Sequence, residues 1–245
     1  MSAWYAVLWG ALASSSLFIG QALADPLRDS RKPTGLLMGF GAGTLISAVG
    51  FQLVPEESFG HDATAVWVGA SLGAGALTYY VADRLVDARG GGKRQRLDAG
   101  EDPGSPWAMY IGALLDGVPE SFVLGTTLAV GGAIDVAFLA AVFVSNVPQG
   151  VAGTQSLRAA GASSRHVLSG WAILTGVCAA FAGAGYVLSD AIANQGVYVE
   201  AFAGGAVLTM LADSMMPEAF RYGGRAVGLF TVLGYMVAAV LAVAQ

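Results

Sequence analysis

Apolar stretches of about twenty residues recur along the whole chain, separated by short segments where the charges collect. They cover roughly 3–24, 35–54, 63–82, 107–131, 136–156, 167–189, 197–217 and 226–245. A helix needs about 20 mostly apolar residues to cross the hydrocarbon core, so each stretch is long enough. The first, second, third, fifth, sixth and eighth contain no Asp, Glu, Lys or Arg. Backbone groups in lipid must bond within their own segment. The pattern therefore predicts an all-α membrane protein of eight transmembrane helices.

Composition agrees. Of 245 residues, 55% are hydrophobic, 35 are glycine and only 12% are charged, with mean hydropathy +0.62. A soluble domain carries about 25% charged residues, and this chain could not coat its own surface. A net charge of -5 and one cysteine exclude nucleic acid as a partner and a disulfide scaffold as a fold class.

The basic residues fix an orientation. Arg28, Arg31 and Lys32 follow the first span; Arg84, Arg89, Lys93, Arg94 and Arg96 follow the third. Arg158 and Arg165 follow the fifth, and Arg221 and Arg225 the seventh, which accounts for all 12 Lys and Arg. The loops after spans two, four and six have none. Lys and Arg accumulate on the cytoplasmic side, so both termini are expected outside. Ala22-Leu23-Ala24 looks like a signal-peptidase site, but no positive segment precedes the long apolar run, and an uncleaved span is expected. The Gly-, Arg- and Asp-rich stretch at about 85–106 reads as a flexible cytoplasmic linker.

Two internal matches stand out. Phe40 to Glu56 aligns without gaps on Phe202 to Glu218, with Phe, Gly, Pro and Glu coinciding. Asp116-Gly117-Val118-Pro119-Glu120 likewise matches Ser145-Asn146-Val147-Pro148-Gln149. In the eight-span topology both matches join segments of opposite direction, the mark of an inverted repeat.

The chemistry gathers in the second match. Asp116 and Glu120 are four apart and share a face of span four. Pro119 cannot donate to Leu115, and Pro148 similarly frees the Val144 carbonyl. Two facing, proline-broken helices would present Asp, Glu, Asn, Gln, Ser and two carbonyls. No Lys or Arg lies in either span. A cation or protons must therefore neutralise the acids, and acids at bilayer depth usually mark ion pathways. The bland alternative is protonated acids bonded between helices. Glu56, Glu57, Asp213 and Glu218 flank the centre as possible entrance or exit groups. His61 and His166 fall at membrane edges, and Cys178 sits in a small-residue helix as a packing residue. Gly43, Gly73, Gly75, Gly204 and Gly205 read as close helix packing.

These motifs resemble the paired His-Asn-x-Pro-Glu-Gly motifs of the ZIP (Zrt/Irt-like) metal transporters, and Leu-Val-Pro-Glu and Met-Met-Pro-Glu resemble that family's Leu-Pro-Glu endings. Eight spans, external termini and a variable loop after span three are similar too, so the resemblance covers essentially the whole chain, 1–245, as one transmembrane domain. It implies 3+2+3 inverted repeats, a metal site between spans four and five, and alternating access. Carried over by position, Asp116 and Ser145 replace the motif histidines, and Gly117 replaces an asparagine. Glu120 and Asn146 are kept, and Gln149 replaces a glutamate. The resulting metal ligands would be Asp116, Glu120, Ser145, Asn146 and Gln149. An all-oxygen site suits Mg²⁺ or Mn²⁺ better than it distinguishes Zn²⁺.

The resemblance implies a carrier, not an enzyme, moving a divalent metal cation (Zn, Mn, Fe or Mg) across the cell membrane without ATP hydrolysis or a resident cofactor. The partners expected are the lipid bilayer, divalent metal ions and a second copy of the chain as a homodimer. Two rivals remain open: a ZIP-derived protein that moves no metal and serves a structural or regulatory role, and a membrane-embedded metal-dependent enzyme. The second lacks a nucleophile–base pair and basic phosphate-binding groups within the spans.

Overall fold

A computed structural model describes residues 2–28, 31–54, 62–89, 106–191 and 196–244. The described residues are helical, with no β-strand among them. Helix α1 spans Ala3–Leu23, and α2 spans Arg31–Ala48 and runs on into a π-helical turn, Val49–Leu53. Next come α3 (Asp62–Asp87), α4 (Pro106–Gly131), α5 (Val136–Ala159) and α6 (Ser164–Ala191). Helix α7 (Gly196–Met210) passes through a second π-turn, Leu211–Met215, into α8 (Met216–Gly223). One turn of 3₁₀ helix at Gly224–Ala226 leads to α9 (Val227–Val243).

Among the described residues, seven continuous helical runs are long and apolar enough to cross a membrane. The last, Gly196–Val243, is 48 residues long, about twice what a bilayer needs. It is bent back at Gly224, whose φ of 66° and ψ of -156° suit only glycine. The molecular surface is inverted relative to a soluble protein. Trp107 is 73% exposed and Leu229 70%, while Asp116 is 1% exposed and Glu120 0%. Lipid, not water, satisfies such an exterior.

Local signals set the ends. Asp135 caps α5 by accepting a 2.8 Å hydrogen bond from Phe138 N. Gly132 and Gly161, both at positive φ, end α4 and α5. The two prolines expected to break helices do not. Pro119 and Pro148 lie within uninterrupted α4 and α5. Neighbouring helices in a membrane tolerate such prolines, and the ladder irregularities fall instead in the π-turns. There Val54 N reaches Val49 O at 2.9 Å, and Met216 N reaches Leu211 O.

Contacts between packed helices give their directions. Gly35 lies against Gly223 and Gly43 against Thr231, so α2 and α9 run parallel. Gly41 meets Ser145 while Gln52 meets Asp135, so α2 and α5 oppose. Gly204 meets Leu53 and Gly35 meets Ala219, so the α7–α8 run opposes α2. Helix α1 lies along α5, Gly20 by Gly150 and Asp25 paired with Arg158. It opposes α6, and α4 lies parallel to α6 with Tyr110 by Gly170 and Gly125 by Ala182.

One reciprocal close crossing of glycine on backbone oxygen recurs between helix pairs, among them α4–α6 at Gly125 and Gly185. A Cβ added at Gly43 would sit 1.9 Å from Thr231 O, and one at Gly234 would sit 2.0 Å from Phe40 O. At the α3–α7 crossing a Cβ added at Gly205 would sit 2.0 Å from Leu72 O, and one at Gly75 would sit 1.8 Å from Phe202 O. These crossings are backbone against backbone, as small-residue membrane interfaces allow. Gly73, expected to belong with these, meets nothing within 4 Å.

Candidate metal centre

Helices α4 and α5, expected to face each other, are in contact, but α4 packs mainly on α6, and α5 on α1 and α2. The four helices α1, α4, α5 and α6 enclose a cavity of about 10 Å³, bordered by Ser14, Asp116, Asn146, Gln149 and Cys178. That is room for about one water-sized sphere.

Asp116 is engaged from a helix the motif did not include. Tyr79 of α3, itself 2% exposed, donates its hydroxyl to Asp116 Oδ1. Asp83, one turn further along α3, is also buried. It lies just past the expected end of span three, because α3 continues to Asp87. Glu120 is one turn along α4 from Asp116. Both of its carboxylate oxygens are buried without a hydrogen-bond partner. Asp116 is the nearest acid along the helix, one turn back. Two such oxygens in a dry interior carry a large desolvation cost unless a cation or proton meets them.

The neutral candidates divide. Asn146 and Gln149 border the cavity, and Gln149 Nε2 is buried without a partner. Ser145 is turned towards α2: a Cβ on Gly41 would lie 3.2 Å from Ser145 Cβ. Its hydroxyl donates to Val142 O at 2.9 Å within α5. Ser145, unlike Asn146 and Gln149, does not border the cavity.

Among the outlying acids, Asp213 is exposed on the second π-turn. Glu218 pairs with Arg221 at 3.7 Å on α8. Glu56, Glu57 and His61 lie outside the described residues, as do residues 90–105 of the expected linker. His166 is exposed, its Nδ1 2.8 Å from Ser163 Oγ. Among the described residues no three His, Cys, Asp or Glu side chains are gathered closely enough to hold a metal by themselves.

An open depression of about 460 Å³ indents the end of the bundle where α4 ends and α5 begins. Gln52, Thr127, Asp135 and Glu200 border it. Thr127 lies two turns, or about 10 Å, from Glu120 along α4. Glu200 gave no sequence signal, since one acid near the start of a span looks like an ordinary interfacial group. The chain matches no protein-family model and no curated protein.

Proposed function

We propose that this chain is a ZIP-like carrier for a divalent metal cation, working by alternating access through the cavity between α1, α4, α5 and α6. One observation carries the reading. Glu120 is fully buried, its two oxygens have no partner, and α4 and α5 place no Lys or Arg beside it. A cation is the partner such a group lacks. Asp116, one turn from Glu120 on α4, borders the cavity together with Asn146 and Gln149.

The membrane arrangement we propose has eight crossings, counting α7–α8 and α9 separately, in a cell membrane with both termini extracytoplasmic. Its support is the alternation of direction from α1 to α2 and from each helix to the next between α4 and α9. The ends bearing Arg84, Arg158, Arg165 and Arg221 then collect on one side, as the cytoplasmic bias of basic residues requires. An inverted 3+2+3 repeat is supported by correspondences that use the sequence match of Phe40–Glu56 with Phe202–Glu218. Under it the π-turn Val49–Leu53 falls on Leu211–Met215, Gly43 on Gly205 and Phe40 on Phe202. In such a fold the depression bordered by Asp135 and Glu200 is the extracytoplasmic mouth, where acids concentrate cations.

Uptake of a panel of divalent metals into proteoliposomes tests the proposal, comparing the parent with Glu120→Gln. The expected result is saturable uptake that the variant loses while remaining folded. Full uptake by a folded Glu120→Gln protein, or none by the parent, overturns it. The latter outcome favours a ZIP-derived structural role.

A further inference from the structure

A groove of about 520 Å³ runs between the first halves of α4 and α6, bordered at one end by the turn at 160–162. That volume is in the range of small-molecule sites. Its polar groups gather at the same end: His166, Ser169 and the Tyr110 hydroxyl. Tyr110 and Ser169 both donate to His166 O at 3.0 Å, so this mouth is already built. Gly170 makes room for the floor, since a Cβ there would lie 2.2 Å from the Tyr110 ring. Deeper in, Ile111, Leu114, Ile173, Leu174 and Val177 leave nothing polar. The rims, Trp107 and Ile173, are 73% and 68% exposed, so the groove opens onto the apolar exterior. Val177 lies about 16 Å along α6 from His166, close to half of a hydrocarbon core of about 30 Å.

We infer that this groove is a resident site for one anionic phospholipid, its acyl chain along α4 and α6 and its phosphate beside Arg165. The depth is that of one leaflet, and the step from polar mouth to apolar shaft matches a headgroup joined to a chain. Charge selects the headgroup. Arg165 stands exposed in the first turn of α6, next to His166, and among the described residues no Asp or Glu borders the groove. Arg158, at the end of α5, is engaged by Asp25. Basic pockets between membrane helices hold anionic headgroups in this way, and Trp107 lies where interfacial aromatics anchor. Leu174 borders both this groove and the cavity of Asp116, so a bound chain backs one wall of that cavity. The inference goes beyond the carrier reading and does not rest on it.

The test titrates the purified full chain in detergent with phosphatidylglycerol or phosphatidylcholine of identical acyl chains, read by native mass spectrometry and thermal shift. The expected result is one phosphatidylglycerol bound per chain, raising the melting temperature saturably. It should act at about fivefold lower concentration than phosphatidylcholine, or ~1 kcal/mol for one arginine. Arg165→Gln should erase that difference, and Ile173→Trp, which narrows the shaft, should weaken both lipids. Both positions are exposed, so the variants should fold. Equal action of the two lipids on the parent overturns the headgroup assignment and the proposal with it. Phospholipid binding that neither variant changes places the lipid elsewhere and also overturns it. A lipid-free dimer that Ile173→Trp dissociates would give the groove to a second copy instead. Each of these outcomes leaves the metal-uptake experiment untouched.

Discussion

The Tyr79 hydroxyl donates to Asp116 Oδ1, joining α3 to α4 beside the cavity. Both groups are buried, Asp116 at 1% exposure and Tyr79 at 2%. The bond therefore does two things. It fixes α3 against the helix bearing both acids, and it occupies an oxygen that a cation would otherwise use. Tyr79→Phe should separate these effects. Hydrogen bonds between membrane helices are worth about 0.6 kcal/mol on average and up to about 1.7, so the unliganded variant should melt a few degrees lower. Metal affinity should rise, because Asp116 becomes available as a ligand. Thermal shift with and without Zn²⁺ reads both, and a fall in affinity would show that the tyrosine serves the ion directly.

The recurring glycine crossings give a second prediction, on stability. Alanine at Gly43 or Gly205 would drive a Cβ to within 1.9 or 2.0 Å of a neighbouring backbone oxygen. Backbone cannot yield as a flexible side chain does, so each substitution should cost about 1–3 kcal/mol or more. Gly73→Ala and Gly176→Ala meet nothing within 4 Å. Each lies in a helix, where alanine is favoured by up to about 1 kcal/mol, and should be neutral or slightly stabilising. Equal effects at Gly43 and Gly73 in detergent unfolding would mean that the helices do not cross as described.

The third prediction concerns topology. In a Cys178→Ala background, single cysteines introduced near Gly60 and near Gly92 should react with an impermeant maleimide from opposite faces of the membrane. The first follows span two, which leads into a loop free of Lys and Arg; the second lies among Arg89, Lys93 and Arg94. Labelling of both from one side would remove the eight-span arrangement and the inverted repeat with it.

Much of the fold was legible because lipid imposes one rule on every span. The apolar stretch at 136–156 became Val136–Ala159, and that at 3–24 became Ala3–Leu23. What periodicity could not supply was which helices meet. Asp116, Asn146 and Gln149 were recognisable from their motif, and they do border one cavity. Tyr79 comes from a helix without a motif, and its bond to Asp116 depends on packing alone. Ser145 occupies a ligand position by alignment, yet the missing side chain of Gly41 draws α2 against it. The prolines misled for a related reason. A proline's lost hydrogen bond can be absorbed by the helices around it, so Pro119 and Pro148 sit in continuous helix.

The last prediction asks whether the centre can be moved towards a stronger zinc site by its own side chains. Asp116 and Gln149 border the same cavity, so in the proposed carrier substitutions at both act on one ion. Gln149→Glu adds one negative charge, and Asp116→His removes one, leaving the formal charge unchanged. The double variant therefore alters ligand type without altering the electrostatic sum. Imidazole binds Zn²⁺ better relative to Mn²⁺ than a carboxylate oxygen does. Tyr79, now bonded to Asp116, is placed to accept a hydrogen bond from one imidazole nitrogen and leave the other for the metal. Such outer hydrogen bonds orient metal-bound histidines and raise their affinity. Zn²⁺ affinity should rise about tenfold, equivalent to ~1.4 kcal/mol, with little gain for Mn²⁺. Combining the pair with Tyr79→Phe should lose part of that gain. Calorimetry with both metals on the parent, double and triple variants measures it. An unchanged Zn²⁺/Mn²⁺ ratio in a folded double variant would mean that the cavity between Asp116 and Gln149 does not hold the ion.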